Sequence, residues 1–215
     1  MSTWTSYFAE NIGAIGMRLA EHAGIVGAAL AVAIMAGVAI GVMLARESAG
    51  GLRGIIFYLL GLGQTIPSLA ILALAVGLIG IGPVPAIIAL LLYALPPIAR
   101  NTYTGIRAVP EATIDAARGL GMTPRQILRQ VELPLAAPMI VGGIRTSTVI
   151  AISAGTLAYL IGAGGLGDFI FTGIALFKPE AMLAGAIPTA LLALAADWGL
   201  GRLERRLAPY TPAET

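Results

Sequence analysis

The sequence predicts an all-α integral membrane protein with five transmembrane helices, and three observations carry that prediction. Charged residues are 11% of the 215 and apolar residues 58%, where an ordinary soluble domain is roughly 25% charged. Mean hydropathy is +0.90. No charged residue interrupts the stretch from Ala23 to Ala45, nor the one from Gly54 to Ala99. So few charges cannot cover a water-facing surface, and so much apolar content excludes intrinsic disorder. In lipid every backbone N–H and C=O needs an internal partner, which helices supply and isolated strands do not.

The elements follow in chain order. Before Ala23, the residues Trp4, Phe8, Ile12, Ile15 and Leu19 recur at helical spacing, which predicts an amphipathic helix lying at the outer membrane surface. A surface helix packed on the protein's own loops is the alternative. The start is not a secretory signal, because it lacks a basic first region and carries Glu10 and Glu21. Span one is expected near 23–45, a length suited to a hydrocarbon core of roughly 30 Å. The next uncharged stretch is too long for one span. It breaks at Gly80-Ile81-Gly82-Pro83-Val84-Pro85, where glycine and proline make a helix interior costly. That gives spans near 54–79 and 84–104, then a loop over 106–134, a fourth span near 135–161 and a fifth near 181–201.

Basic residues orient these spans. With the N-terminus outside, the inner side holds Arg46, Arg53, Arg100, Arg107, Arg118, Arg125, Arg129, Arg202, Arg205 and Arg206. Arg18 and Lys178 remain outside, and Arg145 falls within span four. This obeys the positive-inside rule and predicts an N-out, C-in topology. Cysteine is absent and His22 is the one histidine, so thiolate and multi-histidine metal sites drop out and no metal site is expected. Lys178 is the one lysine and is followed by proline, so no GxxxxGK[ST] phosphate loop exists.

The 106–134 loop is the informative segment. Pro110 and Glu111 suit a helix start, with acid at the positive dipole end. Ala112, Ala116 and Ala117 are small enough to admit a close partner. Gly121 suits a left-handed cap that ends this helix. Thr123 and Pro124 then suit the N-cap and first position of a second helix running to about Glu132. From residue types alone, an amphipathic hairpin joining two spans is the other reading.

Spacing decides between them. Asp115-Ala116-Ala117, three residues, Gly121, nine residues, Val131, one residue and Leu133-Pro134 resemble the coupling loop of importer permeases of the ATP-binding cassette superfamily. Aspartate replaces that motif's leading glutamate, which keeps the charge. The resemblance implies that residues 1–215 form one transmembrane permease domain, a transport subunit rather than an enzyme. It implies ATPase-coupling roles for Glu111, Asp115, Ala116, Ala117, Gly121, Leu133 and Pro134. Arg118, Arg125 and Arg129 either pair with acids of the ATPase or are solvated positive-inside charges.

Further segments resemble the osmoprotectant branch of that family, among them Glu21-His22, Gln64 to Ala70, Leu92 to Gly105 and Ile161 to Asp168. That branch implies a quaternary ammonium solute such as glycine betaine, choline or carnitine. A methionine or other small amino-acid importer is the alternative, and an ATP-independent channel or transporter is a third. The implied partners are a second permease copy or paralogue, two ATPase subunits carrying ATP and Mg, an extracytoplasmic substrate-binding protein and the bilayer of a bacterial or archaeal cytoplasmic membrane. No nucleic-acid partner and no cofactor on this chain are expected.

Gly162-x-Gly164-x-x-Gly167 fits a dinucleotide fingerprint, but a long apolar span precedes it rather than a strand, so a tight external turn ending in Asp168 is expected instead. Polar residues inside spans point to a pathway. Gln64, Thr65 and Ser68 beside Pro67 are the candidates in span two, Tyr93 in span three, and Thr148, Ser153 and Thr156 in span four with Thr146. Serine and threonine are also ordinary packing residues between membrane helices. Aromatics within the spans are few, chiefly Tyr58, Tyr93, Tyr159 and Trp198, so an aromatic cage for quaternary ammonium is expected on the delivery protein. Arg145 is expected to snorkel or cap carbonyls, and Asp197 to pair with Arg202.

Overall fold

A computed structural model describes residues 3–46 and 50–208, and among these every regular element is helical. Nine α-helices follow one another: α1 Thr3–Ala45, α2 Gly50–Thr65, α3 Ser68–Ile79, α4 Pro83–Arg107, α5 Glu111–Gly119, α6 Pro124–Ile127, α7 Leu133–Gly155, α8 Gly167–Ala175 and α9 Pro179–Leu207. A π-helical turn, Leu128–Glu132, joins α6 to α7, and a 3₁₀ turn, Thr156–Ile161, follows α7. Four helices are long and apolar enough to cross a bilayer, or up to five if the bent pair α2–α3 is one crossing.

Two expectations change here. The N-terminal segment is not a separate helix lying on the membrane, because α1 runs unbroken through 43 residues, about 65 Å at 1.5 Å per residue. No proline interrupts it, and isolated glycines cost a helix only about 1 kcal/mol each. Of the expected amphipathic face, Ile15 is buried while Trp4 and Ile12 are exposed. Span two is likewise not one straight helix: α2 and α3 meet at 99°. Pro67 has no N–H for the carbonyl of Gly63 and pushes Ile66 out of helical conformation, so the chain turns there.

Packing centres on α4. On α1 the residues Ala29, Ala33, Gly37, Gly41 and Ala45 stand four apart, a ridge of small residues that lets two backbones approach closely. A Cβ on Gly37 would lie 2.8 Å from Cγ2 of Ile98, and one on Gly41 would lie 2.7 Å from the carbonyl oxygen of Ala99. The other side of α4 meets α7, where Ser147 Oγ donates to the Ala94 carbonyl at 2.6 Å and Gly143 fits against Asn101 and the Pro97 carbonyl. The core then continues through Ile71, Leu72, Ala89, Leu90, Ile152 and Ile161.

At the end of the bundle away from α5, the α7–α8 connection is tied to α1. His22, 1% exposed, contacts the Ile152 carbonyl through Nε2 at 3.0 Å. Glu21 accepts the Gly165 N–H at 3.1 Å, and Arg18 reaches Glu21 at 2.8 Å and Asp168 at 2.6 Å. Gly162, Gly164 and Gly165 all have positive φ. The glycine run is therefore a turn, and Asp168 opens α8 rather than ending a loop. The chain also departs from expectation at the end of α6, which continues through the π turn into α7 instead of stopping near Glu132.

Substituting Gly41→Ala drives a methyl group into the backbone of α4, whereas Gly27→Ala meets nothing within 4 Å. Thermal unfolding in detergent should show a loss of about 1–3 kcal/mol for the first and almost none for the second.

Candidate functional site

The α5–α6 hairpin hangs from the ends of α4 and α7. Pro110 is the N-cap of α5, with φ −58° and ψ 134°, and Glu111 occupies its first turn. Gly121 adopts φ +78°, a left-handed conformation that glycine takes without strain. The N–H groups of Leu120, Gly121 and Met122 return to the carbonyls of Ala116, Arg118 and Ala117, which closes the end of α5. Thr123 and Gln126 then form a capping box: Gln126 N–H donates to Thr123 Oγ1 at 3.4 Å, and Thr123 N–H donates to Gln126 Oε1 at 2.8 Å.

Of the expected coupling residues, Glu111, Asp115, Ala116 and Gly121 are exposed on the hairpin and Pro134 is exposed beside it. Ala117 is buried and faces the other way, and Leu133 is half-buried. Asp115 is paired with Arg118 at 2.9 Å. Leu120, 83% exposed at the tip, was not singled out from the sequence; an apolar residue between two glycines gave the only signal. The hairpin thus presents two acids, Glu111 and Asp115, two small residues, Ala116 and Gly121, and an apolar tip to a partner, while Ala117 and Ile127 hold it to the bundle.

A second feature was also missed. Glu132, the last residue of the π turn, is 6% exposed and accepts a hydrogen bond from Arg46 Nη2 at 3.1 Å. The pair spans 86 positions, and no local spacing announces it. The π turn has its own cause: Pro134 has no N–H for the carbonyl four residues back, and its ring crowds that carbonyl, so the helix widens there. Between the end of α1 and α5 lies a hollow of about 380 Å³ lined by Arg46, Ile106, Arg107, Glu111, Arg118 and Glu132.

The expected pathway residues divide into two groups. Gln64, Thr65, Pro67, Ser68 and Tyr93 all gather at the α2–α3 elbow. There the Tyr93 hydroxyl donates to the Ile66 carbonyl and Thr65 Oγ1 donates to Leu62 at 2.8 Å. Gln64 and Ser68 do not share a helical face, because the 99° bend falls between them. The hollow inside the elbow, about 280 Å³, is lined by Leu59, Gly63, Ile66, Ile71, Leu74 and Leu92 among other apolar residues, and not by Gln64 or Ser68.

The second group lies on and after α7 and is not joined to the first by any hydrogen bond among the described residues. Thr146 and Thr148 bond the Gly142 and Ile144 carbonyls of their own helix, and Thr156 bonds Ser153. Thr156 lies in the 3₁₀ turn, so it does not share an α-helical face with Thr148. Ser153 is exposed.

Asp197 pairs with Arg145 rather than Arg202. Arg145 Nε and Nη2 reach its two carboxylate oxygens at 2.6 and 2.8 Å, and Nη1 reaches Glu204 at 3.2 Å. Gly201 leaves room for that guanidinium, while Arg202 lies 5.1 Å over the Trp198 ring. A bidentate partner on α9 holds Arg145 more strongly than backbone carbonyls would. No group of three or more metal-ligating side chains occurs among the described residues.

Comparison with known proteins places this geometry. A family model described as a binding-protein-dependent transport system inner membrane component matches residues 37–209. The chain is 46% identical over 203 residues to the choline transport system permease protein OpuBB of Bacillus subtilis, covering 94% of this chain and 93% of that one. It is 43% identical to the glycine betaine/carnitine/choline permease OpuCB of the same organism, over 97% and 95% of the two chains. With the osmoprotectant import permease OsmY of Salmonella typhimurium, identity is 47% over 83% and 76%. Among solved structures, the inward-facing MetNI methionine transporter superposes with a TM-score of 0.81 at 22% identity, covering 96% of this chain and 99% of that one. That likeness establishes the fold.

Replacing Thr123 by alanine removes the side-chain half of the capping box, worth about 1 kcal/mol. Amide exchange over Arg125 to Ile127 should accelerate about fivefold for such a loss, with the exchange of α4 unchanged.

Proposed function

The chain belongs to the family of binding-protein-dependent transport system inner membrane components, and from that premise we propose that it is the membrane-spanning permease of an ATP-driven importer for a quaternary ammonium osmoprotectant. The α5–α6 hairpin carries this reading. Its nine-residue helix ends at a positive-φ glycine and is followed by a capped second helix. That is the form of a rigid part which another subunit can grip. The solute class follows from relatives at 43–47% identity that carry choline, glycine betaine, carnitine or osmoprotectants in their names.

Two permeases, copies or paralogues, assemble with two ATPase subunits and a substrate-binding protein on the outer face. ATP and Mg bind the ATPases. The membrane is the bacterial cytoplasmic membrane, with five crossings per chain if α2–α3 counts as one, and with N-out, C-in topology from the arginine distribution. The hairpin then lies on the cytoplasmic side. Closure of the ATPases draws the two hairpins together, and the permeases open outward to receive the solute from its delivery protein. Closure and docking favour the same conformation, so each raises the affinity for the other. Glu111, Asp115, Ala116, Leu120 and Gly121 meet the ATPase, while Ala117, Leu133 and Pro134 set the hairpin against the bundle.

The elbow carries the solute contact. Helix α2 ends there with its negative dipole end beside exposed Gln64 and Thr65, a neutral amide and hydroxyl suited to a cation or zwitterion passing without tight capture. Thr148 and Ser153 on α7 and Thr156 in the 3₁₀ turn contribute as the pathway continues.

Solute-stimulated ATP hydrolysis of the reconstituted complex with its delivery protein tests the reading. Glycine betaine, choline or carnitine should stimulate and methionine should not, and Gly121→Trp, strained at φ +78°, should abolish the stimulation. Stimulation by methionine alone would replace the solute and keep the mechanism. Solute uptake that persists without ATP would remove the coupling mechanism.

A further inference from the structure

We propose that the Arg46–Glu132 ion pair is the positioning contact through which movement of the α5–α6 hairpin reaches α1; this rests on the coupling role given to the hairpin above. Neither residue belongs to the spaced motif of the loop. Arg46 directly follows α1, and Glu132 closes the π turn that links the hairpin to α7. Their contact, 3.1 Å between Nη2 and Oε2, is the one ion pair among the described residues that joins α1 to the segment between α4 and α7. The Glu132 side chain is 9% exposed and that of Arg46 38%. Removing one partner from so enclosed a pair leaves the other without its hydrogen bond, which makes the contact costly to break.

The surroundings give the pair its mechanical position. The hollow of about 380 Å³ separates the end of α1 from Glu111, Ile114 and Arg118 on α5. A displacement of α5 is therefore not handed to α1 by packed side chains across that gap. The continuous route runs through α6 and the π turn Leu128–Glu132, where the i→i+5 pattern widens the helix by a residue, a form frequent at functional sites. Glu132 stands at the far end of that turn, between Leu128 and Leu133, which pack against the cluster formed by Ala45, Ile106 and Ala136. The other charged groups facing the hollow are Arg107 from the end of α4 and Glu111 and Arg118 from α5. Arg107 brings a further cation to the same hollow, on the α4 side.

The test uses the complete reconstituted complex with its ATPase subunits and delivery protein. Basal hydrolysis, solute-stimulated hydrolysis and solute uptake are compared for the wild type, Glu132→Gln, Arg46→Gln and the charge swap Arg46→Glu with Glu132→Arg. The single variants should keep basal hydrolysis within about twofold while stimulation and uptake fall about tenfold, with the swap recovering a large part of both. A role confined to holding the fold would instead lower the amount of assembled complex and leave the stimulation ratio unchanged. Stimulation of the wild type and of Glu132→Gln alike overturns the pair's role and leaves the importer reading intact. A swap that assembles but stays uncoupled overturns it too. Absence of stimulation in the wild type removes the coupling reading itself. Should Glu132→Gln fail to assemble, Glu132→Asp, which keeps the charge and shortens the reach, is read by the same criteria.

Discussion

Close approach of α1 to α4 sets the geometry on which the other contacts depend. Between helices in lipid no hydrophobic drive is left, because the surrounding tails are as apolar as leucine, and cohesion comes from dispersion and hydrogen bonds at short range. The ridge Ala29, Ala33, Gly37, Gly41 and Ala45 supplies that range on α1, and α4 answers with Ala94, Ile98, Ala99 and Thr102. Thr102 packs against Gly41 through Cβ and Cγ2, and its buried hydroxyl has no hydrogen-bond partner among the described residues. Polar contacts then fix α1 at its middle and at its far end. His22 holds the middle to α7 and Glu21 holds it to the α7–α8 connection, while Arg46 holds the far end to Glu132. A helix seated this closely on its neighbour moves as a rigid body, which makes α1 suited to carry a displacement along the bundle.

Departures from regular helix occur where proline withholds a backbone donor. Pro67 breaks the α2–α3 pair, and the exposed Ile66 carbonyl is taken up by the Tyr93 hydroxyl from α4. Pro134 widens the helix into the π turn that ends at Glu132. Each irregular point is met by a side chain from another element, the elbow by Tyr93 and the π turn by Arg46. The two irregular points therefore couple neighbouring helices: the elbow is tied to α4 and the π turn to α1.

Much of this was legible in the sequence. Helix content, the break at Gly80–Pro85 and the whole hairpin with its glycine turn and Thr123 cap rest on local chemistry, which a window of a few residues contains. What was not legible depends on distant residues or on competition between small energies. The continuity of α1 past Ala23 turned on the cost of isolated glycines against an uninterrupted hydrogen-bond ladder. Periodicity placed Gln64 and Ser68 on one face because it assumes a straight helix, and Pro67 removes that assumption. The partner of Asp197 lies 52 positions away on α7, while the nearer Arg202 is drawn onto Trp198. Local spacing favoured Arg202, yet it could not reveal that Gly201 opens the space Arg145 occupies.

The charged groups that enter the bundle share one property. Arg145 faces two carboxylates, Arg18 faces two, and Glu132 faces Arg46. In a medium of low dielectric constant such contacts are strong when formed and costly when half-broken. Apolar packing loosens gradually, whereas a paired charge is either matched or must find another partner. A permease that alternates between two states needs contacts of the second kind at its moving joints and close small-residue packing within its rigid parts. The distribution here follows that division: glycine and alanine between α1 and α4, ion pairs where α1 meets the turns and where α7 meets α9. The same division accounts for the sparse charge of the chain, since each charge inside the bundle stands at a junction rather than in the middle of a packed face.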